Sequence, residues 1–340
     1  MRTFKHRTDV PVLLLHNLDP TWEPKDIEEV QAEAGALEAA LSEVGHPVTN
    51  VAVSHADLPA VLSPFDPDEY VVFNCCEALP DIPRSDVIVA HTLSKMNFTY
   101  TGSTPEVIAL SWDKERVKRL LNHFGLPTPE WRIYTTSDVT DWKCFPAIVK
   151  PALEHSSYGV TSEAVVLNPR ELRQRVEYVL DEYGEPALVE DFIDGREFLV
   201  SLWGDGIVQM LPPAEMDYGA FSDVHQRLYT YEAKFDIESD AFNNIEMLMP
   251  ASLSDPEYRL LEKTAQAVYR ACLCRDYARI DCRLRDGRFY VLDVNPNPMI
   301  AEETSMTSAA EACGFSYGDM ASYLVNFAAL RHPRFRPLLL

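Results

Sequence analysis

The chain is predicted to be a compact multidomain α/β protein whose N-terminal part is an open parallel sheet. Three observations carry this reading: short apolar strand-like runs alternate with helical stretches at the N-terminal end, a strictly alternating hairpin lies near the C-terminal end, and no internal repeat or low-complexity tract interrupts them. At 340 residues the chain can bury the cores of two or three domains.

The first strand is VPVLLLHN. It leads to a helix that opens near Pro24, where a proline fits the first turn, and closes at Gly45, a residue suited to a left-handed cap. VTNVAV and YVVFN follow as strands; with a helical stretch after Pro83 and the short strand FTYTG they complete a sheet over about residues 1 to 103. SWDKERVKRLLNHFGLPTPEW then reads as a helix closed by Gly125 and Pro127, followed by the strand FPAIVKP and the small, polar stretch ALEHSSYGV. Lys150 ends that strand, and taken alone it reads as a solvated side chain. In ALVEDFIDGREFLVSLW, Glu190 and Glu197 stand on an apolar background where an unpaired carboxylate is costly, so both are expected to have partners.

RIDCRLRDGRFYVLDVNPNP reads as a hairpin around Asp286-Gly287. Ile280, Cys282 and Leu284 alternate with Arg279, Asp281 and Arg283, while Leu292 and Val294 alternate with Asp293 and Asn295. One face could therefore carry Arg279, Asp281, Asp293 and Asn295. Opposed residues share a face, so the two aspartates meet only if the connection has an odd number of residues. Two carboxylates and an amide oxygen suit a hard cation such as Mg²⁺; a solvated hairpin face is the simpler reading of these residues alone.

Thirty basic against 53 acidic residues give a formal charge of -23, which disfavours nucleic-acid and anionic-membrane partners. No segment approaches eighteen uninterrupted apolar residues, and the opening apolar stretch is too short for a secretory signal. A cytoplasmic location is expected. Seven cysteines without paired C-x-x-C spacing point to reduced thiols. Neither a G-x-G-x-x-G after the first strand nor a G-x-x-x-x-G-K is present, so any nucleotide is held by other means.

Taken in order, YTGSTPEVIALSWDKERVKRLL, FPAIVKPALEHSSYGV, ALVEDFIDGREFLVSLW, YTYEAK and ARIDCRLRDGRFYVLDVNPNP resemble the ATP-grasp enzymes, and among them the D-alanine:D-alanine ligases, over about residues 98 to 315. The resemblance implies a substrate domain over 1–103, a central ATP-grasp subdomain over 104–189 and a C-terminal ATP-grasp domain over 190–340, with ATP clamped between the last two. It implies that these last two are α+β domains, that Lys114 and Lys150 contact the phosphates, and that Glu190, Asp191, Phe192 and Ile193 face the adenine. Glu197 would accept from ribose hydroxyls. Ser156 and Ser157 belong to the closing phosphate loop, and Lys234 to a second one. Asp281, Asp293 and Asn295 fall on the ligands of two Mg²⁺ ions, with Mn²⁺ as a substitute, and Arg279, with N–H groups near Met299, on the stabiliser of a tetrahedral oxyanion. Thr304 and Ser305 lie where the second substrate's carboxylate is received. A homodimer is the expected assembly.

Departures fall on the substrate side. The glutamate that holds the first substrate's ammonium in the family corresponds to Ile27, and the tyrosine after the closing-loop lysine to Phe235. NCCEALPDIPRSD replaces the family's H-G-x-x-G-E-D-G, and Asp293 replaces a glutamate. The expected activity is ATP-dependent formation of an amide (peptide-type) bond between a carboxylate and an amino acid amine through an acyl phosphate, on a specialised small molecule or dipeptide. A true cell-wall D-alanine:D-alanine ligase and a catalytically inactive nucleotide-binding regulator are the alternatives.

Overall fold

Val12–Asn17 (β1), Val48–Val53 (β2), Val71–Cys75 (β3) and Thr99–Tyr100 (β4) form a parallel sheet in the order β2-β1-β3-β4. The coordinates are a computed structural model that describes residues 5–155, 157–230, 233 and 239–339. Val12, Leu13, Leu14 and Leu15 are all fully buried because both faces of β1 are covered. Leu13, Leu15 and Val72 pack against Leu58, Leu62, Val89 and Leu93 on one side. On the other, Val12, Leu14, Val71 and Phe73 meet Leu37 and Leu41 of the helix Pro24–Val44, together with Leu324 and Val325 of the helix Tyr317–Ala329. The far end of the chain thus completes the first sheet's core. Gly45, at φ 119°, caps the first helix as its sequence indicates.

Trp131–Tyr134 (β5), Ala147–Pro151 (β6), Val165–Val166 (β7) and Ala187–Asp191 (β8) make an antiparallel sheet ordered β5-β8-β6-β7. The third sheet, also antiparallel, consists of Arg196–Gly204 (β9), Gln209–Met210 (β10), Ala214–Asp217 (β11), Glu246–Leu248 (β12), Asp276–Arg285 (β13) and Arg288–Asn295 (β14). Its order is β12-β11-β9-β13-β14, with β10 also on β9. Ile280, Cys282, Val291 and Val294 point to a core shared with the helices Lys114–His123 and Asp255–Ala271.

The hairpin corrects one expectation. Its connection is not odd: Arg285 pairs with Arg288, leaving a loop of Asp286 and Gly287 alone. Both have positive φ, 54° and 72°, as a type I′ turn requires. The two aspartates nevertheless stand opposite each other. Cys282 pairs with Val291 but Asp281 pairs with Asp293, so Leu292 is an extra residue in β14, a β-bulge that restores the parity the turn lacks.

Candidate active site

A cleft opens between the two antiparallel sheets. Ile148, Phe192, Ile193 and Leu228 line an apolar part of it; Lys114, Lys150, Glu190, Asp281 and Asp293 line a charged part. The loop from Glu154 to Val160 and residue Tyr229 supply further wall.

Three lysines converge on this cleft and its floor. The helix Lys114–His123 is N-capped by Asp113, which accepts from the Arg116 N–H at 2.9 Å. It buries Val117, Lys118 and Leu121. Lys114 belongs to the same i, i+3, i+4, i+7 stripe, so two lysines stand on the inward face. Lys114 donates from Nζ to the Glu154 carbonyl. Lys118 is buried: its Nζ lies 2.6 Å from Glu190 Oε1 and donates to Thr128 Oγ1 (2.8 Å) and to the carbonyls of Val291 (3.2 Å) and Leu292 (3.0 Å). Lys150 donates to Glu190 Oε2 at 2.9 Å. That contact follows from the register, since Ile148 pairs with Glu190 and Lys150, two residues on, shares its face. Burial would raise the Glu190 carboxyl, but Lys118 and Lys150 outweigh it and hold the group below the usual glutamate value. Desolvation pulls Lys114 and Lys118 below the usual lysine value, opposed by Asp293 for the first and Glu190 for the second.

Opposite the lysines lies the hairpin face. Arg279 pairs with Asn295 in register and Asp281 with Asp293, so all four share one side. Arg279 makes a two-point contact with Asp281, Nε at 2.7 Å and Nη2 at 3.0 Å. Desolvation acts to raise the Asp293 carboxyl, but Lys114, His155 and Lys150 overcome it and hold the group at about 2. Two facing carboxylates and an amide oxygen form a hard-oxygen donor set that fits a magnesium ion completed by phosphate oxygens and water. Among the described residues no group of three or more His, Cys, Asp or Glu side chains could hold a metal by itself, so phosphate would have to supply the remaining donors.

At the apolar end Glu197 is not free. It pairs in register with Arg283, which donates to Oε2 from Nε (2.8 Å) and Nη2 (2.7 Å), and the Tyr218 hydroxyl donates to the same oxygen at 2.8 Å. Asp191 is paired with Arg285.

The model of the family described as D-ala D-ala ligase C-terminus matches residues 120–326 of the chain. The chain belongs to this family of ATP-grasp ligases. An uncharacterized protein of Sinorhizobium fredii is 34% identical over 307 residues, 88% of each chain. The D-alanine--D-alanine ligase of Pseudothermotoga lettingae is 29% identical over 289 residues, 85% of this chain and 90% of its own. In fold, the D-alanine--D-alanine ligase of Bacillus anthracis, solved in complex with ATP, superposes with a TM-score of 0.72 at 20% identity, covering 95% of this chain and 98% of that one. Membership makes the protein an ATP-dependent carboxylate–amine ligase.

Not every residue singled out in the ligase's sequence meets at the cleft. Ile27 is half-buried near the start of its helix, Met299 is exposed, and neither lines the cleft. Nor do Thr304 and Ser305: the Thr304 hydroxyl donates to the Ala301 carbonyl at 3.0 Å, and Ser305 begins the helix Ser305–Ala312. Ser157 donates to the Tyr229 carbonyl at 3.0 Å. Ser156, Lys234 and Phe235 lie outside the described residues. Sequence reasoning missed Lys118, Arg283 and His155. Lys118 was signalled by its place on the apolar stripe, and Arg283 by its alternation with Cys282 on the same strand face as Asp281.

Proposed function

We propose that this ligase joins a carboxylic acid other than D-alanine to the amine of an amino acid, through an acyl phosphate. The observation that carries the reading is Asp281 opposite Asp293 on one sheet, facing a cleft that also holds Lys114 and Lys150. Hard-oxygen donors on one wall and cations on the other suit the tail of a nucleoside triphosphate, and the apolar pocket at Ile148 and Phe192 suits its base.

In this reading Lys114 and Lys150 neutralise phosphate oxygens as point charges. Glu190 fixes Lys150 at 2.9 Å and, through Lys118, the hairpin. Asp281, Asp293 and Asn295 would hold magnesium, two ions with manganese as a substitute, whose charge stabilises the β- and γ-phosphates. The acid's carboxylate oxygen attacks the γ-phosphorus, the bond to the β-bridging oxygen breaks, and ADP leaves. The deprotonated amine then attacks the acyl carbon. Arg279 stabilises the oxyanion, and phosphate departs carrying one oxygen of the acid.

Substrate choice rests on Ile27 and Phe235, which offer neither carboxylate nor hydroxyl to a buried ammonium. The competing reading is D-alanine ligation, favoured by the names of several relatives. Kinetics with D-alanine as sole substrate separate the two: efficient D-alanyl-D-alanine formation would overturn the proposed specificity while leaving the ligase reading intact.

A further inference from the structure

Glu197 offers the cleft one carboxylate oxygen. Three donors converge on Oε2: Arg283 Nε at 2.8 Å, Arg283 Nη2 at 2.7 Å and the Tyr218 hydroxyl at 2.8 Å. A carboxylate oxygen has about two lone-pair sites, so Oε2 is saturated. Oε1 receives no hydrogen bond from the described residues and is not among the buried unpartnered atoms, which leaves it open toward the cleft that Glu197 lines.

Arg283 is held from every side. It is 2% exposed, donates from Nη1 to the Ile193 carbonyl at 3.1 Å and from Nη2 to the Arg227 carbonyl, and its guanidinium lies 4.8 Å from the Phe192 ring centroid and 5.4 Å from that of Tyr218. Releasing Oε2 would leave a buried guanidinium without its carboxylate, so the pair persists when a ligand enters.

Building on a nucleotide in this cleft, we infer that Arg283 makes sugar recognition one-handed: Glu197 holds one ribose hydroxyl through Oε1, and the neighbouring hydroxyl contributes nothing to binding. A carboxylate with both oxygens free can take the two vicinal hydroxyls of a ribose together. With Oε2 occupied, the two hydroxyls would have to share Oε1, and vicinal hydroxyls lie too close together to reach its two widely divergent lone-pair directions at once, so only one is held well. Arg283 is thus a specificity-determining residue acting through Glu197, and the enzyme tolerates one of the two deoxyribonucleotides.

The test is calorimetric binding of ADP, 2′-deoxy-ADP and 3′-deoxy-ADP to the full chain, which requires no knowledge of the acid or amine. One deoxy compound is expected to bind within about twofold of ADP, and the other about tenfold or more weaker, as loss of a single hydrogen bond to a charged group dictates. Equal weakening of both, or of neither, would overturn the inference while ADP binding still supports the nucleotide reading. If ADP itself does not bind, the nucleotide reading and the inference fall together. In Arg283→Met, Oε2 keeps only the Tyr218 hydroxyl and regains an acceptor site, and the tolerated deoxy compound should drop about tenfold relative to ADP; a folded variant with an unchanged panel would also overturn the inference. Should that variant fail to fold, the panel on the unmodified chain decides alone.

Discussion

Asp281 and Asp293 stand directly opposite each other across a hairpin whose turn has only two residues, because Leu292 is an extra residue in the second strand. The carbonyls of Leu292 and its neighbour Val291 are both gripped by Lys118, whose ammonium also meets Glu190, and Glu190 in turn holds Lys150. One buried lysine therefore ties the acidic wall of the cleft to its basic wall.

Lys118→Met should be strongly destabilising. It strands Glu190 Oε1 and the Leu292 carbonyl in a buried site and leaves the Val291 carbonyl to the Thr128 hydroxyl alone, and removing one partner of a buried ion pair costs about 3–5 kcal/mol. Urea unfolding of the variant would measure it; a loss below about 1 kcal/mol would show that Lys118 does not hold the bulge.

Gly287→Ala tests the turn separately. A Cβ there meets nothing within 4 Å, but φ of 72° is unfavourable for alanine, so the cost should be about 1 kcal/mol with nucleotide affinity unchanged. An equally stable variant would contradict the type I′ assignment.

Lys150→Ala and Asp281→Asn should each reduce ligation about a hundredfold or more while circular dichroism stays that of the unmodified chain, since each removes charge from the cleft rather than core packing. Retained ADP production in either would remove that residue from the reaction.

Arg279→Ala should depress kcat by about a hundredfold and leave ADP affinity within roughly threefold, because the guanidinium acts on the oxyanion rather than on the nucleotide. An effect confined to the KM for ATP would refute that role.

Burial lowers His155 to about 4, with Asp293 opposing and Lys114 and Arg84 reinforcing. Its folded value lies below the unfolded one, so its contribution to stability is full above about pH 6.5 and is lost as the pH falls toward 4. An imidazole NMR titration should show a midpoint near 4. A midpoint at the ordinary histidine value would place the ring in water.

Much of this site was legible in the chain. The alternation of residues 279 to 285 and 290 to 295 gave the shared face, and the apolar setting of Glu190 and Glu197 called for partners that Lys118, Lys150 and Arg283 provide. The parity argument failed because a bulge has no period of its own: Leu292 is an ordinary strand residue until its carbonyl is seen on a lysine 174 positions away. The role of the helix Tyr317–Ala329 was equally hidden, since packing on a sheet more than two hundred residues earlier leaves only an apolar stripe in the sequence.

The central claim, ATP-driven ligation through an acyl phosphate, is tested most directly by isotope transfer. The protein is incubated with ATP, Mg²⁺, a pool of amino acids and a pool of acids labelled with ¹⁸O in the carboxyl group, and phosphate and products are read by mass spectrometry. The account predicts amine-dependent ADP, an amide, and phosphate carrying one ¹⁸O from the acid. Nucleotide binding with no amine-dependent turnover, or an amide formed with unlabelled phosphate, would contradict it.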